Sequence, residues 1–183
     1  MKKTLVILII IVVLGLVGYF WNQSETEEIS KNEVAITNFE ECVTVGNAIM
    51  ESYPRRCRDE AGNTFVEDIG NEVDKSDLIF LNNPRPNQEI ESPLVVSGEA
   101  RGYWFFEADF PVVLTDWDGL IIAEGIAQAK SEWMTEDFVP FEVELNFEAD
   151  VSVSDKGILI LKKDNPSGMS ENDDALEIPV VFK

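Results

Sequence analysis

Eight residues of this chain constrain its fold more than any others: Phe141 to Glu148, reading FEVELNFE. Phe141, Val143, Leu145 and Phe147 fall on one side, and Glu142, Glu144, Asn146 and Glu148 on the other. Strict period-two alternation with acids outside predicts a half-buried antiparallel strand and excludes a helix. Trp104, Phe106, Ala108 and Phe110 alternate in the same way against Phe105, Glu107 and Asp109, which predicts a second such strand. Val112–Thr115 and Leu120–Ala123 flank Asp116-Trp117-Asp118-Gly119, where Asp-Gly marks a hairpin turn. Further strands are expected at Leu78–Leu81, Leu94–Gly98, Gly157–Lys162 and Leu176–Phe182, with no helical stretch among them. About seven short strands at regular spacing make an all-β, antiparallel immunoglobulin-like β-sandwich the economical fold for residues 78–183.

The amino terminus follows a different pattern. Met1-Lys2-Lys3-Thr4 precedes an unbroken apolar run from Leu5 to Phe20, about 24 Å long as a helix at about 1.5 Å per residue. Tyr19, Phe20 and Trp21 suit the interfacial aromatic belt, so residues 1–21 are read as a transmembrane anchor entering the cytoplasmic membrane through residues 5–21. The lysines mark the cytoplasmic side, which makes the chain single-pass with its N-terminus in and its body extracytoplasmic. Cleavage near Gly15 or Gly18 is the competing reading, but no Ala-x-Ala site precedes Ala35.

Residues 22–34 are polar and acidic and read as a linker. Residues 35–68 hold the two cysteines, Cys42 and Cys57. In an exported segment this spacing suggests one disulfide, closing a loop of about 15 residues and contributing about 3 kcal/mol in the chain-entropy picture. Two reduced structural cysteines are the alternative. Asn38 with Glu41 looks like a capping box, Gly46 a helix stop and Gly62-Asn63 a turn, so the segment is expected to be a disulfide-pinned α+β minidomain. A second polar stretch, residues 69–77, reads as a linker.

Composition narrows the chemistry. There is no histidine, which removes Ser-His and Cys-His nucleophile activation and the commonest transition-metal ligand. Acidic residues outnumber basic ones 35 to 14, a formal charge of -21 that repels nucleic acid. No catalytic residue, no cofactor and no resident metal is assigned. Asp116, Asp118, Asp164, Asp173 and Asp174 are weak calcium candidates set against ordinary turn chemistry. Carboxylates are too abundant to single out a hydrolytic pair, which leaves a secreted carboxylate-dependent hydrolase a distant alternative.

Several stretches together resemble a known family: NPRPNQEIESPLVVSGEARG (Asn83–Gly102), YWFFEADFPVVLTDWDG (Tyr103–Gly119), SEWMTEDFVPFEVELNF (Ser131–Phe147), LKKDNPSG (Leu161–Gly168) and IPVVF (Ile178–Phe182). In this order they are similar to the immunoglobulin-like domain of bacterial spore germination, often found beside a GerMN domain. The resemblance covers residues 79–183 and implies a β-sandwich accessory module of cell-envelope proteins with no catalytic residues to carry over. A cysteine segment, not a GerMN-like domain, precedes it here, so a germination role is not carried over. The expected function is a non-catalytic interaction or spacer module whose partner is another envelope protein, with cell-wall glycan the alternative. Phe105, on the acid-bearing side of its strand, and Trp117, in a turn, are the expected exposed aromatics of a binding surface. Arg101 joins them as a candidate, set against a structural ion pair with Glu107.

Overall fold

Alternating apolar residues bury one side of a strand, and two sheets so patterned bury those sides against each other. A computed structural model describes residues 35–183 and shows this arrangement. The expected anchor at residues 1–21 and linker at 22–34 lie outside the described residues. The chain divides after Thr37; Ala35–Thr37 are the described part of the first unit, and Asn38–Lys183 forms the second.

Within the second unit, a short helix α1 (Phe39–Thr44) precedes three short strands, β1 (Ala48–Met50), β2 (Arg56–Arg58) and β3 (Thr64–Val66). They pair antiparallel in the order β1-β2-β3. Asn38 caps α1, its Oδ1 accepting from Glu41 N at 2.8 Å, and Gly46 at φ +86° ends it. Cys42 on α1 is bonded to Cys57 on β2, and both are fully buried.

A turn of helix, α2 (Glu72–Lys75), leads into eight further strands: β4 (Ile79–Asn83), β5 (Glu89–Ile90), β6 (Leu94–Arg101), β7 (Asp109–Asp116), β8 (Ile121–Ala129), β9 (Phe138–Leu145), β10 (Lys156–Lys162) and β11 (Ala175–Phe182). They are hydrogen-bonded in the order β4-β6-β9-β8-β7-β10-β11-β5. All contacts are antiparallel except β11 with β5, which run parallel. The ladder is nearly broken between β8 and β9, where only Gln128–Glu142 and Ala129–Phe141 pair. It therefore folds into two layers, β4-β6-β9 and β8-β7-β10-β11-β5, joined at that corner. Side chains meet across them. The Phe110 and Phe141 rings lie 4.9 Å apart edge to face, and a Cβ on Gly125 of β8 would come within 2.6 Å of Leu145 and 2.8 Å of Val143 on β9. Inward residues of both layers, among them Val96, Phe110, Leu114, Phe141, Leu159 and Ile178, form one core.

The fold is mostly β and immunoglobulin-like, with eight strands in the main sheet where about seven were expected; the two-residue β5 is too short to leave a sequence pattern. Two readings of the sequence are corrected. The alternation from Trp104 to Phe110 is not one strand. Gly102–Trp104 form a 3-10 turn, and Glu107 (φ 54°) and Ala108 (φ 70°) a tight left-handed turn, so the strand begins only at Asp109. Residues 69–77, read as a polar linker, are instead packed down. Asn71 donates from Nδ2 to Ala175 O at 3.0 Å and accepts from Glu177 N at 2.8 Å, while Ile69 is buried. Gly70, at φ +67°, lies so close to the Glu177 backbone that no side chain fits there.

Candidate binding face and groove

The outer side of the five-stranded layer is where polar residues belong, yet it is apolar at its centre. On β7, Phe110, Val112 and Leu114 point into the core, which sends Val113 and Thr115 outward; both are nonetheless buried, at 4% and 6% exposure. Registration explains this. Val113 lies between Glu124 of β8 and Ile160 of β10, and Thr115 between Ile121 and Ile158. Ile158 in turn neighbours Pro179 of β11. A row Ile121–Thr115–Ile158–Pro179 thus crosses four strands. The β7–β8 turn sets Trp117, 54% exposed, at the edge of this face.

The minidomain closes one side of the same face. Phe39 and Glu40 of α1 and Val66 of β3 stand opposite Ile158, Pro179 and Val181, enclosing with Trp117 a groove of about 510 Å³. Its charges are largely neutralised in pairs. Lys156 Nζ meets Glu40 at 2.7 Å, tying β10 to α1. Arg55 donates twice to Glu67, from Nε at 2.9 Å and from Nη2, and lies 5.4 Å from the centre of the Phe39 ring. The Arg55 hydrogen bond holds the Glu67 carboxyl below its usual range against the opposing effect of burial, so this carboxylate stays ionised. A general acid needs the reverse shift. Burial does push one carboxyl up, that of Glu72, but Glu72 is held by Arg85 at 2.7 Å and does not line the groove.

The residues singled out from sequence divide. Trp117 lies exposed beside the groove, as its turn position implied. Phe105 does not: at 4% exposure it packs edge to face on Phe110 inside the core, and its neighbour Phe106 is the exposed one. The 3-10 turn at Gly102–Trp104 moves the chain out of strand register and exchanges the two sides. Arg101 serves the frame, without a partnership to Glu107. Its Nε donates to Asp77 O at 3.0 Å, its Nη1 to Glu136 O at 3.1 Å, and it stacks on Phe138 at 4.0 Å.

Asp116 accepts from the backbone N–H of Asp118 and Leu120 in the hairpin turn, while Asp173 and Asp174 are engaged by Asn165 and Lys75. Among the described residues no group of three or more carboxylate or cysteine side chains is placed to hold a metal ion. Sequence reasoning missed the apolar row itself. Ile121 and Ile158 read locally as strand residues like any other, and only the register shows that they face outward together with Thr115 and Pro179.

Comparison with known proteins gives one family. The model described as the immunoglobulin-like domain of bacterial spore germination matches residues 78–170, just over half of the chain. No curated protein and no solved structure matches.

Proposed function

Because the chain belongs to the immunoglobulin-like domain family of bacterial spore germination through residues 78–170, we propose that it is a non-catalytic interaction module, held at the outer side of a bacterial cytoplasmic membrane by residues 5–21 and binding another envelope protein. The observation that carries this reading is the apolar row Ile121–Thr115–Ile158–Pro179 continuing into the groove beside Trp117. A surface with an apolar centre, neutralised charge pairs and an exposed aromatic at its edge is the anatomy of a protein interface. The lysines before the apolar run support the orientation, and the Cys42–Cys57 disulfide supports an oxidising compartment. Among the described residues no helix is long and apolar enough to cross a membrane, so the anchor rests on the sequence of residues 5–21.

Cell-wall glycan is the second reading, favoured by Trp117 at a groove. Stacking on sugars generally calls for several aromatics in line. Tyr103 and Phe106, also exposed, lie beyond the opposite end of β7 from Trp117.

The test is photo-crosslinking in the native host, with a benzophenone side chain at Ile158 or Trp117 and a control at Val95, which is exposed on the other layer. The expected result is a discrete protein adduct from Ile158 and Trp117 and none from Val95. Adducts only to wall glycan, or equal labelling from all three positions, would overturn the reading.

A further inference from the structure

Loops at the ends of a β-sandwich are positioned by its layers but lie outside their ladders, and contacts to partners concentrate there. Three connections come to one end of this sandwich: 102–108 between β6 and β7, 130–137 between β8 and β9, and 163–174 between β10 and β11. Their backbones are tied together. Gly102 N donates to Asp137 O at 3.2 Å, and Asp164 N to Trp104 O at 3.1 Å. A Cβ on Gly102 would run into the Trp133 and Thr135 carbonyl oxygens, so the chain at Tyr103 lies directly against the chain at Met134.

Three large apolar side chains are open to solvent on these connections: Tyr103 at 51%, Phe106 at 41% and Met134 at 73%. An unfavourable turn holds Phe106 there. Its N–H and C=O pair with Asp109, which leaves Glu107 at φ 54° and Ala108 at φ 70°. A two-residue turn with both residues left-handed is ordinarily built on Asn-Gly, and a Cβ opposes it. Strain of this kind collects where function keeps it in place.

Charge decides what fits. Glu107 sits in the turn beside Phe106, and Glu132, Glu136 and Asp137 in the connection that carries Met134; all four are exposed. The nearest cations are engaged elsewhere. Arg101 is held by the Asp77 and Glu136 carbonyls and the Phe138 ring, and Lys130 by Glu142 at 3.0 Å. Lys162 and Lys163 line a separate hollow with Asp173, Asp174 and Glu177. Such a rim repels anionic lipid and nucleic acid, and a second copy of the chain would bring the same acids against it.

We propose that this end of the sandwich is a second docking surface, separate from the groove, for a basic segment of another protein. Lys or Arg stems lie on the Tyr103 and Phe106 rings with their charged heads toward the carboxylates, and an aliphatic residue covers Met134. An apolar centre inside a charged rim distinguishes a partner surface from singly scattered exposed residues. The groove lies beyond the opposite end of β7, beside Trp117, so the module has two ends with which to bridge two partners.

The test uses the full chain in mild detergent with methyl-labelled methionine, followed by NMR. Met134 reports on this end, and Met50, on β1, is the control. The probes are an eight-residue peptide alternating Lys and Leu, its Glu-Leu counterpart, and lysine amide. The Lys-Leu peptide is expected to shift the Met134 signal saturably and to leave Met50 in place. The Glu-Leu peptide and lysine amide, at the same concentration, are expected to move neither. Phe106→Ser weakens binding by about tenfold. Glu107→Gln, which leaves the rings alone, weakens it by about threefold and flattens its salt dependence. An unmoved Met134, equal shifts at Met134 and Met50, or an equal response to the Glu-Leu peptide would overturn the docking surface. A full response to lysine amide would overturn the protein partner in favour of a small cation. Crosslinking from Ile158 and Trp117 reads the other end, so failure here leaves the groove reading to its own test.

Discussion

Glu67 and Glu72 each face an arginine, with opposite consequences for their protons. Glu67 is held low chiefly by its hydrogen bonds from Arg55, so its share of stability is present above the unfolded-state value and lost as pH falls through the folded one. Glu72 is pushed up by burial, which outweighs the attraction of Arg85, and its Oε2 has no hydrogen-bond partner. Its native state takes up a proton before the unfolded state does, so acidification between those two values favours folding. Glu67→Gln is therefore expected to lower stability at neutral pH by about 1 kcal/mol, small because Arg55 is partly exposed, and the gap to wild type closes on acidification. Glu72→Gln shows the reverse slope, with the wild type gaining on the variant as pH falls. Urea denaturation at pH 7 and pH 4, read by tryptophan fluorescence, checks both signs.

The elements differ in how openly the sequence carried them. β9 was legible from Phe141 to Leu145, where burial alternates and Glu142 and Glu144 face outward, but it begins at Phe138 and ends at Leu145, short of the Glu148 that the pattern predicted. The β7–β8 hairpin was legible because Asp116 and Gly119 have local reasons to turn: a carboxylate accepting from Leu120 N and a φ of +87°. Where a reading failed, tertiary contacts decided. Gly102 is pressed against the Trp133 and Thr135 carbonyls, and Glu107 and Ala108 adopt left-handed conformations that neither residue type advertises. That one turn exchanged Phe105 and Phe106. The length of β8 was hidden by its bulge and by Gly125, whose missing side chain makes room for Leu145 and Val143.

The disulfide was legible from spacing, and its effect belongs to this scale. The minidomain has little core beyond Phe39, Cys42 and Cys57, so replacing both cysteines by serine removes about 3 kcal/mol from it while the sandwich keeps its own core. The expected outcome is protease cleavage at Arg56 or Arg58, with the near-UV signal of the buried Trp104 retained. Loss of that signal would show that the two parts unfold together.

At the scale of the whole molecule, the minidomain and the sandwich act as one body from Asn38 onward, joined by Lys156–Glu40, by Arg85 donating to the Tyr53 hydroxyl at 2.9 Å and by Asn87 donating to Asp68 O at 2.7 Å. This junction makes the groove and presents the apolar face beside it. The formal charge of -21 opposes self-association and favours solubility. All of this matters only if the body is held outside the membrane, facing the envelope. The direct measurement is fractionation of a C-terminally tagged copy in its native host, with protease added to intact cells and fragment masses read. The account predicts full-length protein in the membrane fraction whose body is digested from outside. A body protected in intact cells would contradict the topology, and a released fragment beginning near residue 20 would contradict the anchor.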